Sequence, residues 1–328
     1  MNDFPSLPPQ PAFDERAQRR QFAEPALAIS FIFLSTLIVQ LILVLLIQQF
    51  APHLTTQSWY TIAVSMTPMY LIGMPLSLLF YRSSASEPPE QKKLGVLPFL
   101  GLVAICFVLT YLGNILGNLI NIAIGNITGK QPVNDLQELT LSTPFWATLL
   151  FTGILAPVME ELFYRKLVID RLRRYGDLPA LLISGLVFGL LHGNFYQLFY
   201  ASLMGFVFGV IYLRTGRIRY TIALHMLINL IGGVYASEVV KRLDLEALAQ
   251  NSLEYVLQNP VPILMLLAQM FFIGICFVAA PIALVFLWKH IRFERAQIPL
   301  TPRQWYRVAL RNPAVWLLAL TLTALFFL

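Results

Sequence analysis

Apolar runs long enough to cross a bilayer recur along this chain and leave room for few other folds. A spanning helix needs about 20 apolar residues, because the hydrocarbon core is about 30 Å thick and a helix rises about 1.5 Å per residue. Runs that meet or approach this length lie at 26–50, 58–81, 95–124, 145–170, 178–192, 195–213, 219–235, 262–288 and 313–328, the last being short. The 328 residues are 57% hydrophobic and 12% charged, with mean hydropathy +0.68. Soluble domains carry roughly 25% charged residues. The expected fold is all-α: a polytopic transmembrane helical bundle of about eight or nine spans.

Charge placement tests that list. Lys and Arg concentrate in the N-terminal segment and, of the loops, in alternate ones, at 82–94, 171–177, 214–218 and 289–312. The positive-inside rule assigns these to the cytoplasm, and with them the N-terminus, in a multi-pass protein of the cell membrane. The net charge of +6 is then loop charge facing an anionic leaflet, with no nucleic-acid partner implied. Residues 1–24 read as a disordered, Pro-rich cytoplasmic tail. No cleavable signal peptide is expected, since the apolar run after the tail exceeds the 7–15 residues, roughly, of a signal core. Cys106 and Cys276 fall in apolar runs and offer neither a disulfide framework nor a metal site.

Polar residues inside the spans cluster between Glu160 and Asn229, while the flanking spans are mostly Leu, Ile, Val, Phe and Ala. Intramembrane ionisable groups are costly, usually functional, and tend to face the bundle interior. Glu160 and Glu161 are adjacent, so on a helix they point about 100° apart and cannot share one role on one face. Glu161 and Arg165 sit at i, i+4 and can pair. The competing reading is a helix that leaves the membrane early, with both glutamates among headgroups. His192 ends the run "ISGLVFGLLHGN", one turn after Phe188, where a lone His is often just a helix-end polar residue. His225 and Asn229, also at i, i+4, share a face and could equally be interhelical hydrogen-bond glue. Gly185 with Gly189 and Gly205 with Gly209 have the small-xxx-small spacing of close helix packing. A carboxylate, two imidazoles and an amide at similar depth are the makings of a water-activating site: a base, a second proton-handling group and oxyanion donors.

"EELFYR", "FGLLH" and "HMLIN" fit E-E-x-x-x-R, F-x-x-x-H and H-x-x-x-N. In this order the three motifs resemble those of the CAAX protease and bacteriocin-processing (CPBP, or Abi) family of intramembrane proteases, to which the type II CAAX prenyl endopeptidases belong. The resemblance covers about 145–235. It implies a catalytic core at 144–236, between N-terminal transmembrane helices at 25–143 and a C-terminal loop and helices at 237–328. It implies an endopeptidase acting on a membrane-associated protein or peptide. Glu160 would activate water, His192 would help hold it, and His225 and Asn229 would stabilise the oxyanion. Glu161 and Arg165 would orient the site. Family members are often labelled metalloproteases. A set of Glu160, His192 and His225 would suit zinc with water as fourth ligand, but the chain has no H-E-x-x-H, and metal-independent glutamate catalysis is the preferred reading. The alternative function is a non-enzymatic membrane immunity or scaffolding protein of the same family.

Overall fold

The computed structural model describes residues 13–81, 85–130, 134–250 and 252–327. It is 84% helical, and no strand occurs among the described residues. The long helices are α1 (Glu15–Phe50), α2 (Tyr60–Phe80), α3 (Val96–Thr128), α5 (Phe145–Tyr175), α7 (Phe195–Thr215), α8 (Ile218–Arg242) and α11 (Pro260–Trp288). Shorter ones are α4 (Asp135–Ser142), α6 (Asp177–Leu190), α9 (Leu245–Gln250), α10 (Ser252–Gln258), α12 (Pro302–Leu310) and α13 (Pro313–Leu325). Leu37, Ile38, Leu41, Ile42 and Leu45 on α1 are all exposed. So wide an apolar surface suits lipid rather than water, and the chain is a multi-pass membrane protein.

Among the described residues seven helices are long and apolar enough to cross a bilayer, or eight if α12 and α13, which meet at a 64° bend, form one span. The upper figure meets the lower end of the expected eight or nine, and two of the expected runs form short helices. The run at 178–192 becomes α6, of 14 residues, about 21 Å long at 1.5 Å per residue. It stops because the chain turns at Gly193, whose φ of 66° is left-handed. The run at 313–328 becomes α13, of 13 residues, which ends against that same turn: Phe326 and Phe195 rings lie 5.1 Å apart. At the other end of the chain, Asp14 caps α1 by accepting from the N–H groups of Arg16 and Ala17. Helix α1 thus begins inside the segment expected to be a disordered tail, and its Phe22 is buried against Tyr175 and Trp305. Residues 1–12 of that expected tail lie outside the described residues.

The basic segments meet at one end of the bundle. The Glu87 N–H donates to the Asp170 carbonyl at 2.8 Å, and the Lys92 N–H to the Thr215 carbonyl at 2.8 Å. Gln297 and Ile298 N–H groups both donate to the Arg174 carbonyl. Tyr175 bonds to Gln18 and Gln21, and Arg19 donates to the Arg311 carbonyl. Loops that the charge pattern places on one side are therefore joined to one another.

Small residues allow a close helix contact. A Cβ on Gly205 of α7 would lie 2.8 Å from the Gly185 Cα of α6, so the backbones touch where the G-x-x-x-G spacings fall. Replacing Gly205 by Val should separate α6 from α7 and cost roughly 1–3 kcal/mol, the usual range for overpacking. Thermal unfolding in detergent reads this as a lowered Tm. An unchanged Tm would refute close packing at this crossing.

Candidate active site

Proline decides the local shape of α5. Pro157 has no N–H, and the turns before it are π-helical over Thr148–Leu155, with the Ala156 N–H bonding back to the Phe151 carbonyl. Continuing that i→i−5 pattern would require an N–H at 157 to serve the Thr152 carbonyl. The vacancy is filled from another helix: Asn229 Nδ2 on α8 donates to the Thr152 carbonyl at 2.9 Å. Asn229 itself begins a π-helical stretch, Asn229–Tyr235. On α2, Pro68 opens a third, Pro68–Gly73. Such turns are rare and favour functional sites, because they re-aim the side chains beside them.

Glu160 and Glu161 occupy the short α-helical interval between two π-helical stretches of α5. Glu161 is fully buried and receives Arg165 in a two-pronged pair, Nε at 2.9 Å and Nη2 at 3.1 Å. Arg165, also fully buried, donates its remaining Nη1 to Ser184 of α6 at 2.9 Å, and Ser184 donates to the Tyr164 carbonyl. The guanidinium lies 5.5 Å from the Phe188 ring centroid and 5.7 Å from that of Phe208, a cation–π arrangement on two helices. Buried to this degree, Glu161 and Arg165 have no surface to offer to headgroups.

Glu160 differs. Its side chain is 13% exposed, against 0% for Glu161. Its Oε1 accepts a hydrogen bond from Tyr70 of α2, and its Oε2 lies 3.9 Å from His225 Nε2, beyond hydrogen-bond reach. His225 Nδ1 lies 3.3 Å from Glu161 Oε1. The two glutamates point in different directions, as adjacent helical residues must, yet they address opposite nitrogens of one imidazole. Helix α8 crosses α5 so that the His225 ring bridges the arc between them.

His192 reaches the same place through a ring. Its Nδ1 pairs with the Phe188 carbonyl at 2.8 Å. A carbonyl only accepts, so Nδ1 carries the proton and Nε2 of the neutral ring is an acceptor. Phe188 packs edge-to-face against His192 at 5.3 Å, His225 at 5.8 Å and Tyr164 at 5.0 Å. The six residues singled out in the sequence thus fall into three linked groups: Glu160, Glu161, Arg165 and His225 together; His192 joined to them across Phe188; and Asn229 fastened to the backbone of α5. Tyr70, Ser184 and Phe208 were not foreseen. A hydroxyl in an otherwise apolar span was the available signal for Tyr70 and Ser184; Phe208 had none. Zinc would need Glu160, His192 and His225 as a ligand trio. Among the described residues no three His, Cys, Asp or Glu are grouped to hold a metal.

The buried pair carries a stability prediction. Glu161→Gln leaves the Arg165 charge inside the bundle and should destabilise by roughly 3–5 kcal/mol, whereas Glu161→Gln with Arg165→Met should recover part of that loss. Thermal unfolding of the three proteins checks it. A double variant no better than the single would mean that the guanidinium is not held chiefly by Glu161.

Comparison with known proteins agrees with the motif reading. Residues 142–231 match the family described as Type II CAAX prenyl endopeptidase Rce1-like. A Bacillus subtilis (strain 168) protein, "Putative membrane peptidase YdiL", is 27% identical over 163 residues, which is 49% of this chain and 66% of that protein. This chain therefore spans slightly under two thirds of that relative's length. No solved structure matches. The matched segment holds Glu160, Glu161, Arg165, His192, His225 and Asn229, and over that core the chain is similar to the type II CAAX prenyl endopeptidase Rce1-like family.

Proposed function

We propose that the protein is an intramembrane endopeptidase that hydrolyses a peptide bond of a membrane-associated protein or peptide, in the cell membrane, with its basic end toward the cytoplasm. The observation that carries the reading is the asymmetry of the two glutamates. Glu161 is locked to Arg165, while Glu160 keeps a partly exposed carboxylate with Oε2 outside any hydrogen bond to its neighbour. A general base needs such an oxygen within reach of a water.

In the proposed reaction Glu160 Oε2 takes a proton from water and the hydroxide attacks the substrate carbonyl carbon. His192 Nε2 is the acceptor that helps hold the water. His225, oriented by Glu161, and the second N–H of the Asn229 amide stabilise the charge that develops on the carbonyl oxygen. Glu160 then gives its proton to the leaving amine as the C–N bond breaks. Two products form, an acid and an amine, and the site returns to its starting state. Tyr70 fixes the carboxylate so that Oε2 rather than Oε1 faces the reaction.

A non-enzymatic role is the second reading, and one observation favours it. Glu161, Arg165, His192 and Asn229 each have a partner within the protein, as polar glue between helices would. One comparison separates the two. Protein termini are mapped in membranes carrying the wild type or its Glu160→Gln variant at matched abundance. Fragment ends should appear only with the wild type; cleavage that persists in the variant sinks the proposal. Tyr70→Phe keeps the ring and loses the hydroxyl, and should lower kcat/KM by roughly ten- to hundredfold, the worth of one hydrogen bond to a charged group. Unchanged kinetics for that variant would remove Tyr70 from the machinery.

A further inference from the structure

At the basic end, an open cavity of about 290 Å³ is lined by Gln91, Lys166, Gly216, Arg217, Ile218 and Arg219. Three of its six lining residues are cations. Two strap contacts build its wall: the Lys92 N–H donates to the Thr215 carbonyl, and the Leu94 N–H to the Tyr220 hydroxyl. Lys166 is shared with Asp170, at 3.2 Å, and with the Tyr212 hydroxyl. That single carboxylate leaves the lining net positive. Arg217 Nε is buried with no hydrogen-bond partner, and such a donor costs stability unless something accepts from it. The cavity also holds the start of α8, whose N-cap position is Arg217, with no side-chain cap and no acidic residue in the first turn. Helix N-termini favour anions, so Arg217 and Arg219 are placed against the helix dipole unless an anion joins them.

We propose that this cavity binds a phosphate group, and that its source is the headgroup of an anionic phospholipid. At about 30 Å³ per water, the space is roughly ten waters in volume, so a phosphate enters with its ester arms. The apolar neighbours on the membrane side favour a lipid over a free ion. Leu162, one turn before Lys166, is 41% exposed, and Ala223, one turn after Arg219, is also exposed. Both continue from the cavity along helices long and apolar enough to cross a bilayer. Basic pockets at this level are suited to anionic headgroups. The inference does not depend on the peptidase reading.

The test uses the full-length protein in neutral detergent. Dioleoylphosphatidylglycerol and dioleoylphosphatidylcholine are titrated separately, and bound lipid is counted by native mass spectrometry alongside thermal unfolding. Phosphatidylglycerol should be retained and should raise Tm, while phosphatidylcholine should not. Arg217→Gln with Arg219→Gln should weaken retention by about fivefold for each cation removed. Lys93→Gln with Lys289→Gln, which removes two exposed charges outside the cavity, should leave retention unchanged. Arg219→Gln alone, at an exposed position, serves if the Arg pair fails to accumulate. Stabilisation by inorganic phosphate but not by phosphatidylglycerol would keep the phosphate site and overturn the lipid source. Equal losses in both double variants, or no preference between the two lipids, would overturn the site itself.

Discussion

The buried pair of Glu161 and Arg165 is the interaction on which the centre of this bundle depends. An ionised pair inside a membrane protein is tolerable only when each charge is answered in full. Here Arg165 meets Glu161 on α5, Ser184 and the Phe188 ring on α6, and the Phe208 ring on α7. Glu161 in turn reaches His225 on α8. Four helices therefore share one electrostatic knot, and their approach is possible because Gly185 and Gly205 let α6 and α7 touch. The pair need not add net stability for this to matter. Its effect is on specificity, because any other arrangement of these helices strands a charge.

Proline and the π-helical turns contribute a second constraint of the same kind. A missing N–H at Pro157 frees the Thr152 carbonyl, and an unanswered carbonyl in a dry interior is costly. Asn229 answers it from α8. The amide is thereby fixed in orientation, with one N–H engaged and the other available. On α2, Pro68 opens the π-helical stretch that carries Tyr70 to Glu160.

Much of this architecture is legible in the chain, and the losses have identifiable causes. Composition and span length give the all-helical membrane fold, and alternating Lys and Arg anticipate which loops meet. The i, i+4 spacing gives the Glu161–Arg165 pair outright. The lengths of α6 and α13 are overestimated, because hydropathy continues through residues that the backbone uses for turns, Gly193 above all. The start of α1 is misread because a polar, Pro-containing stretch resembles a tail until the Asp14 cap and the buried Phe22 are seen. Within the site, the sequence names donors and acceptors but not who meets whom. Spacing says that Glu160 and Glu161 diverge. Only the crossing of α8 over α5 reveals that both converge on His225.

That convergence bears on how two adjacent carboxylates acquire different characters. A glutamate with two charge-assisted bonds from a guanidinium holds a fixed negative charge, and its neighbour has no such fastening. Glu161 is taken up by Arg165, and its Oε1 lies 3.3 Å from His225 Nδ1. Glu160 meets the same ring from the other side, with Oε2 at 3.9 Å from Nε2. The crossing of α8 over α5 therefore gives each carboxylate a different nitrogen and a different remaining partner, Arg165 for one and Tyr70 for the other. Two residues next to one another in the chain end in two unlike surroundings, which is what the proposed division of labour between them needs.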